Sequence, residues 1–363
     1  MAGRILIVGV GNAGLKIADG LARSGKVDEL ILADIAPEGG PDIAGMLDSC
    51  YDCEVKFSEL DGLQQNRVEK LLRKDKPDVV VQSASLTSPW AMHGRTDKIA
   101  TALSQAGLAV QLPAQLPILT TVMKAIREVD FTGPVANLSF PDVNNALLDR
   151  FGLAPTIGLG NVSISHLRVR AAERKKRSLE GKSPDSFPLI RLIGHHNQVY
   201  NVMEARPPEN PGESVRVYLG EEGRRADELA YRGYPTTPGI DFNIITAAAA
   251  LPAILALLPG AEPLRFSVPA PGGLPGGYPV VISDGSVELD LPDNVDLEEA
   301  VDFQRQFARH DGVEEVTGDG TVVFTEKAKQ AVKSIDPRLC EPLIFGKWLP
   351  RWLLLMSYMN WKA

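Results

Sequence analysis

Two stretches of the chain carry residue types whose spacing suits chemistry. The first is Gly9-Val10-Gly11-Asn12-Ala13-Gly14, placed between an apolar run and a helical pattern. In that setting Gly9 permits a tight turn, Gly11 lets backbone approach a pyrophosphate, and Gly14 lets the helix lie close to the strand. The amino end of the helix then offers free N–H groups and a positive dipole end to phosphate. Asp34 follows 20 residues after Gly14. A carboxylate there accepts from both ribose hydroxyls and repels a 2′-phosphate, and no arginine follows it, so the pattern points to NAD rather than NADP. The second stretch is FPLIRLIGHHNQVY, residues 187–200, where two of only five histidines stand side by side. His195 and His196 can be a buried structural pair, a metal site, or a proton donor beside a substrate. Neighbours on an extended segment point to opposite sides, which counts against a shared metal. Histidine gives and takes protons near neutral pH, which suits the third role.

These residues need a scaffold. Residues 4–10, RILIVGV, form an apolar run without alternation, as expected of a strand covered on both faces. A helix over 11–24 follows, then strands at 29–34, 54–60 and 77–85, with a helix between the last two. Beyond them the pattern predicts a helix over 97–106, a short strand LAVQL (108–112), a helix over 115–129 and a strand over 133–140. Alternating strands and helices over some 140 residues predict a doubly wound α/β sheet. The second half mixes helices and strands and has Pro/Gly-rich corners, RPPENPGE and VPAPGGLPGGYP.

The 363 residues suffice for about two domains. The formal charge of −8, with no long basic tract, argues against a nucleic-acid partner. Three cysteines, 50, 53 and 340, are too few for a disulfide framework and point to a reducing, cytoplasmic setting. Cys50 and Cys53 form a CxxC outside a strand-to-helix turn, so a chance pair is expected rather than a redox site. No stretch reaches the length of a membrane span; the longest candidate, 244–260, is broken by Pro252. The tail GKWLPRWLLLMSYMNWKA holds three of the four tryptophans. Its apolar face must be covered, by its own chain, by a second subunit, or by a membrane surface.

With these motifs in hand, the chain resembles the malate/lactate dehydrogenase superfamily over most of its length. RILIVGVGNAG…LILADI resembles that family's opening, PDVVVQSAS its strand beside the cofactor, and ANLSFPDVNN its Asn-Pro-Val segment. PTIGLGNVSISHLRVR resembles the helix that supplies a catalytic aspartate and a carboxylate-binding arginine, LIRLIGHHN the turn bearing the proton-transfer histidine, and SVPAPGGLPGGYPVVIS the late antiparallel strands. The resemblance implies a Rossmann-type doubly wound parallel sheet over 1–145, an α+β catalytic and substrate domain over 146–340, and an aromatic tail over 341–363. It implies NAD held by Gly9, Gly11, Asn12, Ala13, Gly14, Asp34, Ile35, Ser83, Ala84 and Asn137. It implies hydride transfer to and from a small 2-hydroxy/2-oxo, or amino/imino, carboxylic acid, in a homodimer or homotetramer without a resident metal. His196 takes the place of the acid/base, Arg168 of the carboxylate anchor, Arg95 of the carbonyl-polarising arginine, and Asn137 of the asparagine facing nicotinamide and substrate.

The chain also departs from the pattern. Three residues before Arg168 stands Ser165, not an acid, and an ungapped alignment places Ile164 and Leu167 at the two positions; His166 lies nearby as a different relay partner. In the segment after the fourth strand, LTSPWAMHGRTDK, Arg95 is the only arginine, with His93 beside it. In PGIDFNIITAAAAL, Asp241 falls near the expected substrate side chain, where an acid favours an amine or guanidinium. The rest of the basic run Arg168–Arg177 reads as a solvated helix face. These departures argue against plain malate or lactate as substrate. They also leave two other readings: a catalytically inactive NAD-binding regulator, and an NAD- and metal-dependent glycosidase. The glycosidase reading needs a cysteine and a histidine on Mn²⁺, and no cysteine lies near the expected site.

Overall fold

The structure, a computed structural model, describes residues 3–35, 39–183 and 187–359. Its first half is one six-stranded parallel sheet in the order β3-β2-β1-β4-β5-β6. The elements run β1 (Arg4–Val8), α1 (Asn12–Arg23), β2 (Glu29–Asp34), α2 (Gly40–Cys50), β3 (Glu54–Glu59), α3 (Gln65–Asp75), β4 (Val79–Gln82), α4 (Lys98–Ala106), α5 (Leu112–Glu128), β5 (Val135–Asn137), α6 (Pro141–Asp149) and β6 (Ile157–Gly158). The missing alternation in β1 has the expected cause. Leu6 and Val8 pack on one side with Ile31 and Val80, while Ile5 and Ile7 pack on the other with Leu30, Leu32, Val79 and Val81. The sixth strand comes from beyond residue 145, so the parallel sheet extends past that expected boundary.

The expected strand at 108–112 is not there. Leu108–Gln111 forms a 3₁₀ turn that runs into α5, and β4 pairs directly with β5, leaving no sheet position for it. A short apolar run does not distinguish a buried strand from a buried turn.

The second half continues with α7 (Val162–Leu179), β7 (Ile190–Ile193), α8 (His196–Met203), β8 (Arg216–Leu219), β9 (Arg224–Arg225), α9 (Phe242–Ala256), β10 (Leu264–Pro269), β11 (Gly277–Ser283), β12 (Ser286–Leu289), α10 (Leu297–His310), β13 (Val313–Val316), β14 (Val322–Phe324), α11 (Glu326–Lys333) and α12 (Trp348–Met359). Its antiparallel sheets are β7-β8-β9, β10-β11-β12 and β13-β14. The apolar stretch that held the longest membrane candidate is α9. It lies against α1, with Leu251 seated over Gly20, and Ala250, Ala253 and Ile254 are fully buried. Among the described residues no single helix is long and apolar enough to cross a membrane. The tail folds back on its own chain: α12 packs on α5, and Trp348 and Leu355 are buried, while Leu349 and Leu353 remain exposed. Trp361 lies outside the described residues.

The glycine turn is built as its spacing requires. Gly9 has φ +96°, and a Cβ there would stand 2.4 Å from Ala84 N. A Cβ at Gly14 would stand 2.1 Å from the Gly9 carbonyl oxygen. Helix and strand can meet only without that carbon. Gly14→Ala is therefore expected to destabilise the chain by about 1–3 kcal/mol, as overpacking against backbone does; denaturant unfolding of wild type and variant measures it.

Candidate active site

One cavity of about 760 Å³ opens at the carboxyl ends of the strands, beside the crevice between β1 and β4 where the strand order reverses. Gly9, Gly11, Asn12, Ala13, Gly14, Asp34, Ile35, Ser83 and Ala84 all line it. Gly11 caps α1 with no side-chain bond to its first turn, and a Cβ at Gly11 would meet nothing within 4 Å. The approach to the helix end is open. Asp34 ends β2, and its carboxylate accepts the Val10 N–H at 2.6 Å, which fixes it beside the turn. Ser83 Oγ donates to the Gly9 carbonyl at 2.6 Å and closes the turn against β4. These groups fit a dinucleotide: an uncapped helix end for the pyrophosphate, and a carboxylate for the ribose.

At the other end of the cavity stands His196. The extended segment expected for the two histidines ends at Ile193. His195 is the N-cap of α8, and His196 is its first residue. The two rings therefore do not point to opposite sides. His195 Nδ1 lies 3.5 Å and His196 Nδ1 3.1 Å from the same oxygen of Asp311. Their roles differ all the same. His195 Nδ1 accepts the Asn197 N–H, so it carries no proton toward Asp311, and burial lowers the ring's pKa. His195 is a buried cap, held neutral. His196 Nδ1 donates to Asp311 Oδ2, and Asn197 Nδ2 donates to Asp311 Oδ1 at 3.1 Å. Burial pulls the His196 pKa down, but the charge and hydrogen bond of Asp311, with help from Asp142, outweigh it and raise the pKa overall. Burial likewise pushes the Asp311 carboxyl up, and the two histidines and Asn197 outweigh it and hold the carboxyl below its ordinary value.

Asp311 is the acid that sequence reasoning missed. It lies 115 residues from His196 along the chain, at the carboxyl end of α10. Gln304 of α10 donates to the carbonyls of Gly277 and Gly194, tying the helix to the turn just before the histidines. Gly107 (φ +81°) and Gly312 (φ +90°) let the backbone around Asp311 meet the end of α4; a Cβ at Gly107 would stand 2.6 Å from the Asp311 carbonyl. The local signal was an Asp-Gly after an amphipathic helix, which marks a helix end and nothing more.

The other expected relay partners point elsewhere. Ser165 is buried, and its hydroxyl finds no partner among the described residues. His166 bonds Ser267 Oγ at 3.1 Å, and burial, with Arg170 nearby, pushes its pKa down to about 3. Neither lines the cavity. Asn137 does not face the cavity either. It is fully buried, donating to Asn145 at 2.8 Å and to the Ser139 carbonyl and accepting the Ser139 N–H. The residues this segment presents to the cavity are the four that follow, Leu138, Ser139, Phe140 and Pro141, with Phe140 held at φ +42°. Asn161, at φ +48°, is a second cavity residue in sparsely populated backbone space. Such strain is found where the surroundings impose it, commonly at functional sites. Here Asp142 does so: one oxygen takes the Asn161 amide at 2.8 Å, the other the His196 backbone N–H at 2.6 Å.

The expected cationic residues lie outside. Arg168 Nη2 donates to the Tyr234 carbonyl at 2.7 Å and its guanidinium rests on Gly233, while Arg95 pairs with Asp97 at 2.7 Å. Asp241 is exposed ahead of α9. Two residues on, Asn243 lines the cavity instead, donating to Asn12 at 2.8 Å and accepting from Trp90 Nε1 at 3.2 Å. That chain of bonds ties the segment after β4 to the glycine turn. Trp352 of α12 donates to Thr87 at 3.0 Å and completes this wall. The CxxC is unlike a redox pair, since burial, with Asp28 and Asp48 nearby, pushes the Cys53 thiol up to about 11.

Solved structures with this arrangement of elements exist. Malate dehydrogenase from Plasmodium falciparum is 12% identical, covers 93% of this chain and 100% of its own, and superposes with a TM-score of 0.52. Malate dehydrogenase from Salinibacter ruber is 14% identical, with coverage of 85% and 95% and a TM-score of 0.51. The minor L-lactate dehydrogenase from Enterococcus mundtii, in its ligand-unbound form, gives 14%, 85% and 95% with a TM-score of 0.51. The chain has the fold of the malate and lactate dehydrogenases. No protein-family model and no curated protein matches it in sequence. At this identity the likeness extends to the fold and not to the residues of the site, which depart as described.

The His196–Asp311 pair sets a pH window for stability. A raised histidine pKa stabilises fully below the ordinary 6.5 and loses that contribution as pH climbs through the folded value. A lowered aspartate pKa stabilises above the ordinary 3.8 and loses it as pH falls through the folded value. Asp311→Asn is thus expected to destabilise most between those two values and progressively less above pH 6.5; unfolding titrations of both proteins across pH 3 to 9 check this.

Proposed function

We propose that the protein is an NAD-dependent oxidoreductase that interconverts a carbonyl compound and its alcohol, with His196 as the acid and base. One observation carries the reading: His196, paired through Nδ1 with buried Asp311, lines the same cavity as the uncapped glycine turn and Asp34. The inactive-regulator reading rested on a missing acid, and Asp311 removes that ground.

When bound, the cofactor exchanges two electrons and one hydrogen with the substrate carbon. The chain's own groups do the rest. The amino end of α1 receives the pyrophosphate, and Asp34 accepts from the ribose. With Nδ1 held by Asp311, Nε2 is the His196 nitrogen left to meet the substrate oxygen. In reduction the imidazolium gives its Nε2 proton to that oxygen; in oxidation the neutral ring takes it back. Asp311 fixes the tautomer and stabilises the imidazolium. The Asp142 bond to the His196 backbone holds the start of α8 in place. Tyr200 stands edge-on to the ring at 5.8 Å, and Trp90 lines the same cavity.

His196→Asn is expected to retain NADH binding and to lose turnover by about 10²–10⁴-fold, the usual worth of a positioned acid/base. His195→Asn, which keeps an N-cap acceptor, is expected to stay within about tenfold of wild type. Steady-state kinetics beside NADH fluorescence titrations separate the two effects. Asp34 further predicts NADH binding at least about tenfold tighter than NADPH, through like-charge repulsion of the 2′-phosphate; equal affinities contradict the cofactor assignment.

A further inference from the structure

The cavity is lined by no lysine or arginine among the described residues. Its charged side chains are Asp34 and Asp61, with His196 able to become charged. A substrate carboxylate brought beside His196 would find no lysine or arginine in the lining to pair with, and the imidazolium is already paired with Asp311. It would also approach Asp311 and Asp142, two buried carboxylates, the first held by the His196 ring and the second by its backbone N–H. Burying a charge without a partner is strongly unfavourable, and like charges in a dry site add to that. Neither arginine with a claim on the role lines the cavity: Arg168 Nη2 donates to the Tyr234 carbonyl, and Arg95 pairs with Asp97.

What the lining does offer is apolar and aromatic surface. Phe140 lies 6.3 Å and Tyr200 5.8 Å from the His196 ring, centre to centre. Trp90, Ile164, Trp352 and Met356 complete the surface. The cavity amides already have partners within the chain: Asn161 bonds Asp142, Asn243 bonds Asn12 and Trp90, and Gln115 bonds Thr87 and Ser139. The His196 ring and the Tyr200 phenol are the titratable groups at this end of the cavity.

We propose that the substrate is an uncharged ketone or secondary alcohol on an apolar body of about the size of an aromatic ring, not a carboxylic acid. This rests on the oxidoreductase reading above. In the reductive direction the carbonyl carbon gains the two electrons and one hydrogen of NADH, and the carbonyl oxygen gains the His196 proton. The products are a secondary alcohol, NAD⁺ and a neutral imidazole.

The test uses pairs that differ only in carboxylate against methyl: phenylpyruvate with phenylacetone, and phenylglyoxylate with acetophenone. Each is titrated into the NADH-loaded full chain by cofactor fluorescence and assayed for NADH oxidation. The neutral member of each pair is expected to win by about 10²-fold or more in affinity and in kcat/KM. Equal or better handling of the keto acids overturns the inference while leaving the oxidoreductase reading in place. So does an NADH-loaded protein that takes neither member of either pair. Failure to bind NADH at all overturns the oxidoreductase reading and this inference with it. Ile164→Arg puts a cation on the cavity face of α7; in folded, NADH-binding variant the preference for the neutral ligand is expected to shrink at least about tenfold, and an unchanged preference overturns the electrostatic argument.

Discussion

A carboxylate only 4% exposed has to be paired, and Asp311 is paired on both oxygens. His196 takes one and Asn197 the other. That requirement organises the second half of the chain. The helix before Asp311 is tied to the histidine turn through Gln304, and glycines at 107 and 312 let the backbone reach the sheet domain. The pair also sets the two histidines apart, and the proposed chemistry falls to His196. His195 spends Nδ1 on capping a helix, whereas His196 has Nδ1 on an acid and its other nitrogen toward the cavity.

The two ends of the cavity are specialised by different physics. The end at α1 is backbone: missing Cβ atoms, an uncapped helix terminus and one carboxylate. The end at His196 is side chain: aromatic rings around the imidazole. The joint between them is the Asn12–Asn243–Trp90 chain of hydrogen bonds, which links the glycine turn to α9 and to the segment after β4. These bonds fix Trp90 relative to the first turn of α1.

Much of this was legible in the chain, for reasons that differ by residue. The glycine turn and Asp34 could be read because backbone demands are written locally, in residues that sit next to one another. The buried parallel strands could be read because their apolar runs lack alternation. His196 was legible through its resemblance to a known turn, though its place at the start of a helix was not, because a histidine N-cap is rare among the residues that announce helix starts. Asn137 is kept from the cavity by bonds that no local pattern announces: it is spent on Asn145 and Ser139, and the four residues after it form the lining. Arg168 shares the face of α7 that carries Asn161 and Ile164, yet it lies one turn past Ile164, beyond the cavity lining, with Nη2 on the Tyr234 carbonyl. Asp311 left no local mark at all. A carboxylate brought in from a distant helix end is a tertiary fact, and a missing acid at Ser165 cannot announce its replacement.

The pairing of His196 with Asp311 can be observed directly by nuclear magnetic resonance on ¹⁵N-labelled histidine, followed through a pH titration. The account predicts that His196 titrates above 6.5 and that its neutral form keeps the proton on Nδ1, while His195 stays neutral throughout. A His196 that titrates below 6.5, or whose neutral form carries the proton on the other nitrogen, would contradict it.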